Sequence, residues 1–202
     1  TQFAGGSGTE TDPYLIETKE QLNNVRNNLS AHYKMIADIV FTNADFAAGG
    51  DFYNNGNGWL PIGNADAPFI GCFDGGGKSI SGLTIVAKPS ETAYIGLFGY
   101  CKNASVSNVN IINGKTEITA SDDATVNAGL LCGRFQKGYL SNCTVSGNIS
   151  ATTTSVSWTS QRQIVVGGIV GYNGESTIKY CANSATVSTN SHNSFAVISS
   201  IV

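Results

Sequence analysis

Charge is scarce in this chain: only 12% of its residues are Asp, Glu, Lys or Arg. Helical enzymes cover their outer faces with such residues, so the shortage argues against a helix-rich catalytic domain. The 11 basic residues are scattered and the formal net charge is -3. A nucleic-acid partner is therefore excluded, because a binding face needs clustered Lys and Arg to neutralise phosphates. No apolar run approaches the roughly 18–20 residues that span a bilayer, so no membrane span is expected in this chain. Histidine is limited to His32 and His192, far apart in sequence, and no C-x-x-C spacing occurs. That pattern suggests no metal site and no cofactor. Five cysteines is an odd number, so at least one thiol is unpaired in a monomer and a disulfide framework is not what holds the fold.

What the chain does have is glycine, 24 residues of it, together with abundant Asn, Ser and Thr and a 41% hydrophobic fraction. Asn, Ser and Gly suit tight bends, while Thr, Val and Ile suit strands, so the composition reads as all-β with many turns. At 202 residues, one domain with a continuous core is expected.

One helix signal stands out. Thr18 precedes Lys19-Glu20-Gln21, a capping-box pattern, and Leu22, Val25 and Leu29 follow at helical spacing. A helix over 18–29 would cover the otherwise open end of a stacked core. Residues 43–58 form a polar Gly/Asn-rich loop that carries Phe46, Phe52 and Tyr53.

From residue 69 onward the sequence repeats itself. The strings FIGCF (69–73), YIGLF (94–98), NAGLL (127–131), VGGIV (166–170) and ISSIV (198–202) place Gly71, Gly96, Gly129, Gly168 and Ser200 in one column. A second column follows in ISGLTI (80–85), VSNVNI (106–111), LSNCTV (140–145) and IKYCAN (178–183). Each repeat cannot bury its apolar face alone, so coils stack and like residues lie above like. Within the second column apolar residues fall at i, i+3 and i+5 rather than alternating, which marks a bend between two short strands. The bend holds Gly82, Asn108, Asn142 and Tyr180. Gly and Asn tolerate the left-handed conformation; Tyr180 is the misfit. The expected fold is an all-β, right-handed parallel β-helix with one short N-terminal capping helix, the alternative being a β-sandwich. On this alignment Cys72, Cys143 and Cys181 occupy core positions, where a thiol acts as a small hydrophobe.

The strings IGLFGY (95–100) and GGIVGY (167–172) resemble the GLUG motif of bacterial surface proteins. The leading run GGSGTETDPYLIETKEQLNNV and the segment PIGNADAPFIGCFDGGGKSISGLTI are similar to the first coil of that family. The resemblance implies an exported or cell-wall-attached β-helix more firmly than any activity. It also implies one domain over 1–202, with residues 1–68 as cap and first coil and 69–202 as GLUG-type repeats.

Candidate chemistry is sparse. GCFDGGGKS (71–79) has neither the spacing nor the following helix of a phosphate-binding loop, and its glycines read as a tight turn. The acids Asp74, Asp122 and Asp123 and the bases Lys78, Lys102, Arg134 and Lys137 do not recur in register, so turn chemistry and solubility explain them better than catalysis does. No catalytic residue is assigned. The better clue is aromatic: Phe52, Tyr53 and Trp59 in or beside the long loop and Trp158 in a Ser/Thr run are candidate ligand contacts. The competing reading is that Trp59 and Phe52 cover the end of the core.

Together these readings point to a non-enzymatic, adhesin-like module, secreted or attached to a cell surface, whose partner is an extracellular carbohydrate or a host or neighbouring surface protein. The alternative is a polysaccharide lyase or glycoside hydrolase on a β-helix, or its inactive remnant. The chain opens at Thr1, which fits removal of a leader or upstream domain. AVISSIV (196–202) matches IVVGGIV (164–170), so the chain is expected to stop inside a repeat of a longer protein.

Overall fold

The computed structural model describes residues 2–121, 124–153 and 163–190, and the backbone of 195–199. The chain winds into a parallel β-helix. Every registered strand pair is parallel, and the strands stack into four sheets, the third and fourth of which begin only at Ala93–Ile95 and Phe98–Lys102. The first sheet stacks Tyr14–Ile16, His32–Met35, Cys72–Asp74, Ser105–Ser107, Tyr139–Ser141 and Thr177–Lys179. The second is built on the long strands Asn110–Ala120 and Thr144–Thr153. The third stacks Ala93–Ile95, Val126–Ala128, Gln163–Gly167 and Phe195–Ser199, and the fourth Phe98–Lys102, Cys132–Gln136 and Val170–Gly174.

Stacking puts like above like inside the tube. In the first sheet Tyr33, Phe73, Val106, Leu140 and Ile178 form one column in register, aromatic at the N-terminal end and aliphatic above. The first four are at most 1% exposed. Corners are made by left-handed residues. Asn108, Asn142 and Tyr180 share one corner with φ of 56°, 53° and 55°, and Asn103, Lys137 and Glu175 share another with φ of 53°, 52° and 58°. The expected bend is therefore present even at Tyr180, whose ring is 82% exposed and packs on nothing that would compensate the strain. The corner is imposed by the paired strands on either side of it.

The first repeat differs from its expected alignment. Cys72-Phe73-Asp74 pairs with Ser105-Val106-Ser107, so FIGCF lies in the first sheet and not beneath YIGLF. The residues bridged to the fourth sheet are Ile62, opposite Phe98, and Phe69, opposite Cys101. Similarly, Ile80 pairs with Ile111, one strand later than expected, so Gly82 shares its column with Asn113. Both glycine-containing strings look alike because a close backbone approach recurs at several corners: a Cβ on Gly71 would lie 2.2 Å from the Ala31 carbonyl oxygen. Cys72 is consequently half-exposed instead of core. Higher up, Ala128 pairs with Val166, which sets Gly129 opposite Gly167, one residue before Gly168. Cys143 and Cys181 do take core positions, at 0% and 9% exposure. Asp74-Gly75-Gly76-Gly77 is the expected turn, with Asp74 Oδ1 accepting from the Gly76 amide at 2.8 Å.

The helix covers Lys19–Asn24 and continues as a 3-10 turn over Val25–Asn27. Thr18 caps it by accepting from the Gln21 amide at 3.3 Å, while the Gln21 side chain reaches past the cap to the Glu17 amide at 2.7 Å. Leu22 and Val25 are fully buried. Arg26 lies over the Trp59 ring at 5.5 Å and donates to the Leu60 carbonyl at 2.7 Å. Since Trp59 and Ile62 in turn bond to the Leu97 carbonyl, the helix closes the stack beneath the third and fourth sheets.

Two substitutions check this account. Val25→Asp buries a charge in the cap and is expected to cost about 3 kcal/mol or more; an unchanged melting temperature would show that the helix does not seal the core. Tyr180→Asn places a residue that tolerates the left-handed corner and is expected to raise stability by about 0.5–1 kcal/mol in chemical denaturation.

Candidate functional site

The loop at the N-terminal end is organised by aromatic packing. Phe41 contacts Phe46, Phe52 and Trp59 at ring-centroid distances of 5.3, 5.2 and 5.7 Å. Each such pair contributes about 0.5–1.5 kcal/mol beyond burial. Asn43–Phe46 forms one helical turn in which the Asp45 carboxylate accepts from the Thr42 amide at 2.6 Å and pairs with Lys19 at 2.6 Å. Trp59 is 1% and Phe52 8% exposed. Both rings pack into the end of the core, and the indole Nε1 donates to the Leu97 carbonyl at 3.1 Å, while Trp59 also borders a surface groove. Tyr53 is partly exposed beside them. Trp158 lies outside the described residues.

A different surface is concave. The segment 59–63 runs below the third sheet and leaves Leu60 exposed. On one side of it lies a cleft of about 530 Å³ whose walls include Arg26, Pro61, Asn64, Asp66 and Tyr94. On the other lies a groove of about 320 Å³ that includes Asn54, Asn57, Lys88, Pro89 and the same Tyr94. Burial lowers the pKa of Arg26 from its ordinary value, and its donors are directed at the Leu60 and Pro61 carbonyls and the Asn23 side chain. Asn64 accepts from the amides of Asp66 and Ala67 at 3.0 and 2.9 Å, which fixes the rim of the cleft.

Tyr94 also belongs to a vertical row. Tyr100, Arg134 and Tyr172 occupy one register position on successive rungs of the fourth sheet. The Arg134 guanidinium carbon lies 5.3 Å from the Tyr100 ring, 5.0 Å from Tyr172 and 5.8 Å from Tyr94. Tyr94 and Tyr100 meet edge-on at 5.4 Å, and the Tyr100 hydroxyl is hydrogen bonded to the Gln136 side chain. The row is positioned by the glycines before it. A Cβ on Gly133 would lie 2.4 Å from the Ile95 amide nitrogen, and one on Gly171 2.4 Å from that of Ala128, so the third and fourth sheets pack backbone to backbone there. Strand alternation then turns the next residue, Tyr100, Arg134 or Tyr172, outward. Sequence reasoning missed this row, although its signal was the residue after the second glycine of each motif: Gly99-Tyr100, Gly133-Arg134 and Gly171-Tyr172.

Of the acids and bases named from the sequence, Asp74 and Lys137 have structural partners. Asp74 holds its turn and accepts from the Asn108 side chain at 2.8 Å. Lys137 faces Glu175 at 3.8 Å on the surface. Asp122 and Asp123 lie outside the described residues. Among the described residues no group of three or more His, Cys, Asp or Glu is placed to hold a metal ion.

Residues 163–188 match the model of the GLUG motif. The chain is 41% identical over 112 residues to a protein of Evansella cellulosilytica described as a Gly-rich membrane protein, covering 54% of this chain and 12% of that one. It is 29% identical over 181 residues to halomucin of Haloquadratum walsbyi, covering 86% of this chain and 2% of halomucin. It thus spans a small part of the length of these relatives. A crystal structure from Bacteroides ovatus, described as an immunoglobulin A1 protease, superposes over 98% of this chain and 74% of its own with a TM-score of 0.52 at 18% identity. That likeness concerns the fold alone.

The closed loop carries a pH signature. Burial alone would raise the Asp45 pKa, but the hydrogen bonds from Lys19 and Thr42 outweigh it and leave the carboxyl below its ordinary value. A depressed carboxyl contributes stability that is fully present above its unfolded pKa of about 4 and is lost as pH falls through the folded value. Asp45→Asn is therefore expected to cost about 1 kcal/mol at neutral pH. The gap between wild type and variant should close on acidification, as read by melting temperatures across a pH series.

Proposed function

We propose that this chain, a GLUG-containing parallel β-helix, is a non-enzymatic module of a surface or secreted protein that binds extracellular carbohydrate in the cleft around Tyr94. The observation that carries the reading is the cleft itself: a partly exposed aromatic ring, flanked by the Asn64 and Asp66 side chains, fixed on paired rungs and therefore preorganised. Aromatic faces beside amide and carboxylate groups suit sugar rings, whose C–H faces stack while their hydroxyls hydrogen bond. The relatives named as a membrane protein and a halomucin support an extracellular, surface-attached setting. The adhesin-like role follows from a rigid scaffold presenting its binding surface outward. Non-enzymatic use is supported by Asp74 and Lys137, each engaged in a turn or a surface pair away from the cleft.

A glycan array with a parallel turnover assay tests this. Binding of at least one glycan class is expected, and Tyr94→Ala should weaken it by about tenfold, the cost of a lost ring contact, in a protein that stays folded with a melting temperature lowered only by the lost contacts to Tyr100 and Arg134. Cleavage of any polysaccharide at ordinary enzymatic rates would instead establish the lyase or hydrolase alternative.

A further inference from the structure

The second polar feature beside the cleft is Arg134. Its guanidinium is stacked between two tyrosine rings from the coils below and above, with Tyr94 at its side. Among the described residues no carboxylate lies within 4 Å of it; the ion pairs there are Lys19 with Asp45, Lys115 with Glu117 and Lys137 with Glu175. Its one described side-chain hydrogen bond is long, from Nη1 to the Tyr94 hydroxyl at 3.4 Å. Among the described residues neither Nε, which is buried, nor Nη2, which is accessible, has a hydrogen-bond partner. A planar cation held among aromatic rings, with its terminal nitrogens at the accessible edge, is preorganised to receive a planar anion. Stacking on tyrosine leaves the guanidinium edge, where the donors lie, as its reactive part.

We propose that Arg134 is an anion subsite that selects a carboxylated sugar, a hexuronate residue of an acidic polysaccharide, for the adjoining cleft. This rests on the carbohydrate reading of the cleft and names the class of sugar. Tyr94 is the ring common to both features: it lines the cleft and touches the Arg134 guanidinium. A sugar ring seated against it brings a ring carboxylate to the Arg134 donors. An acidic peptide is the competing occupant, since the strand Ala93–Ile95 is the edge of its sheet and pairs on one side only, with Val126–Ala128. The sugar is favoured because Tyr94 offers a ring face in the cleft rather than only a backbone edge.

The test is calorimetric titration of the full chain with tetragalacturonic acid, with its fully methyl-esterified form and with oligoglutamate. The free acid is expected to bind about tenfold or more tightly than the ester, as for a charge-assisted hydrogen bond, and to weaken with added salt. Arg134→Gln should bring the acid down to the affinity of the ester while leaving the ester unchanged, and Arg134→Lys, which keeps the charge without the planar fork, should fall between. Equal affinity for acid and ester in the wild type would overturn the anion subsite and leave carbohydrate binding standing. An acid preference that survives in Arg134→Gln would overturn it likewise. Binding of oligoglutamate with neither sugar, or of none of the three, would overturn the hexuronate subsite, and the glycan array decides the carbohydrate reading separately.

Discussion

Every coil of this molecule depends on the hydrogen bonds to the next. A single rung pair such as Val106 beside Leu140 spans only three residues on each strand, too little to stand alone. Laid in register over five rungs, the same short strands form a continuous column from Tyr33 to Ile178. Stability is then a sum of neighbour contacts, and the ends carry the burden of closure. That is why so many large side chains gather at the N-terminal end: Phe41, Phe46, Phe52, Trp59, Leu22 and Val25 cover the core there.

The same constraint explains what the sequence discloses and what it hides. The bend in VSNVNI and LSNCTV was legible because a left-handed corner with the same partners recurs at Asn108 and Asn142. The N-cap was legible because it is local, Thr18 to Gln21. The alignment of FIGCF failed because glycine marks any close backbone approach, and Gly71 meets Ala31 in the first sheet just as Gly129 meets Ile169 elsewhere. A residue type that answers one steric demand at several corners cannot say which corner it occupies; only the register of the neighbouring coil does.

The candidate site was less legible than the fold, for a related reason. Trp59 and Phe52 attract attention as aromatic residues in a polar loop, but whether such a ring faces water or core depends on what lies under the loop, here the strand Thr84–Ala87, whose Thr84 carbonyl takes the Trp59 amide. Tyr94, which does line the concave surface, sits inside the repeat itself, in a motif whose regularity reads as purely structural. Arg134 differs in type from Tyr100 and Tyr172 on the neighbouring rungs, and that departure from the repeat was the clue.

The backbone contacts at Gly133 and Gly171 also decide where such a coil can grow. Between the third and fourth sheets there is no room for an added side chain, and from there through the left-handed corners to the second sheet each coil runs nearly residue for residue with the next. In the later coils the length differs most where the second sheet hands over to the third: a few residues join Ala87 to Ala93, and more separate Thr153 from Gln163. That corner borders the groove, with Lys88 and Pro89 in its wall. Insertions and deletions there would redraw the recognition surface while leaving the register of every rung untouched, so one solenoid can acquire a new ligand by changing only the seam at which its coils are joined.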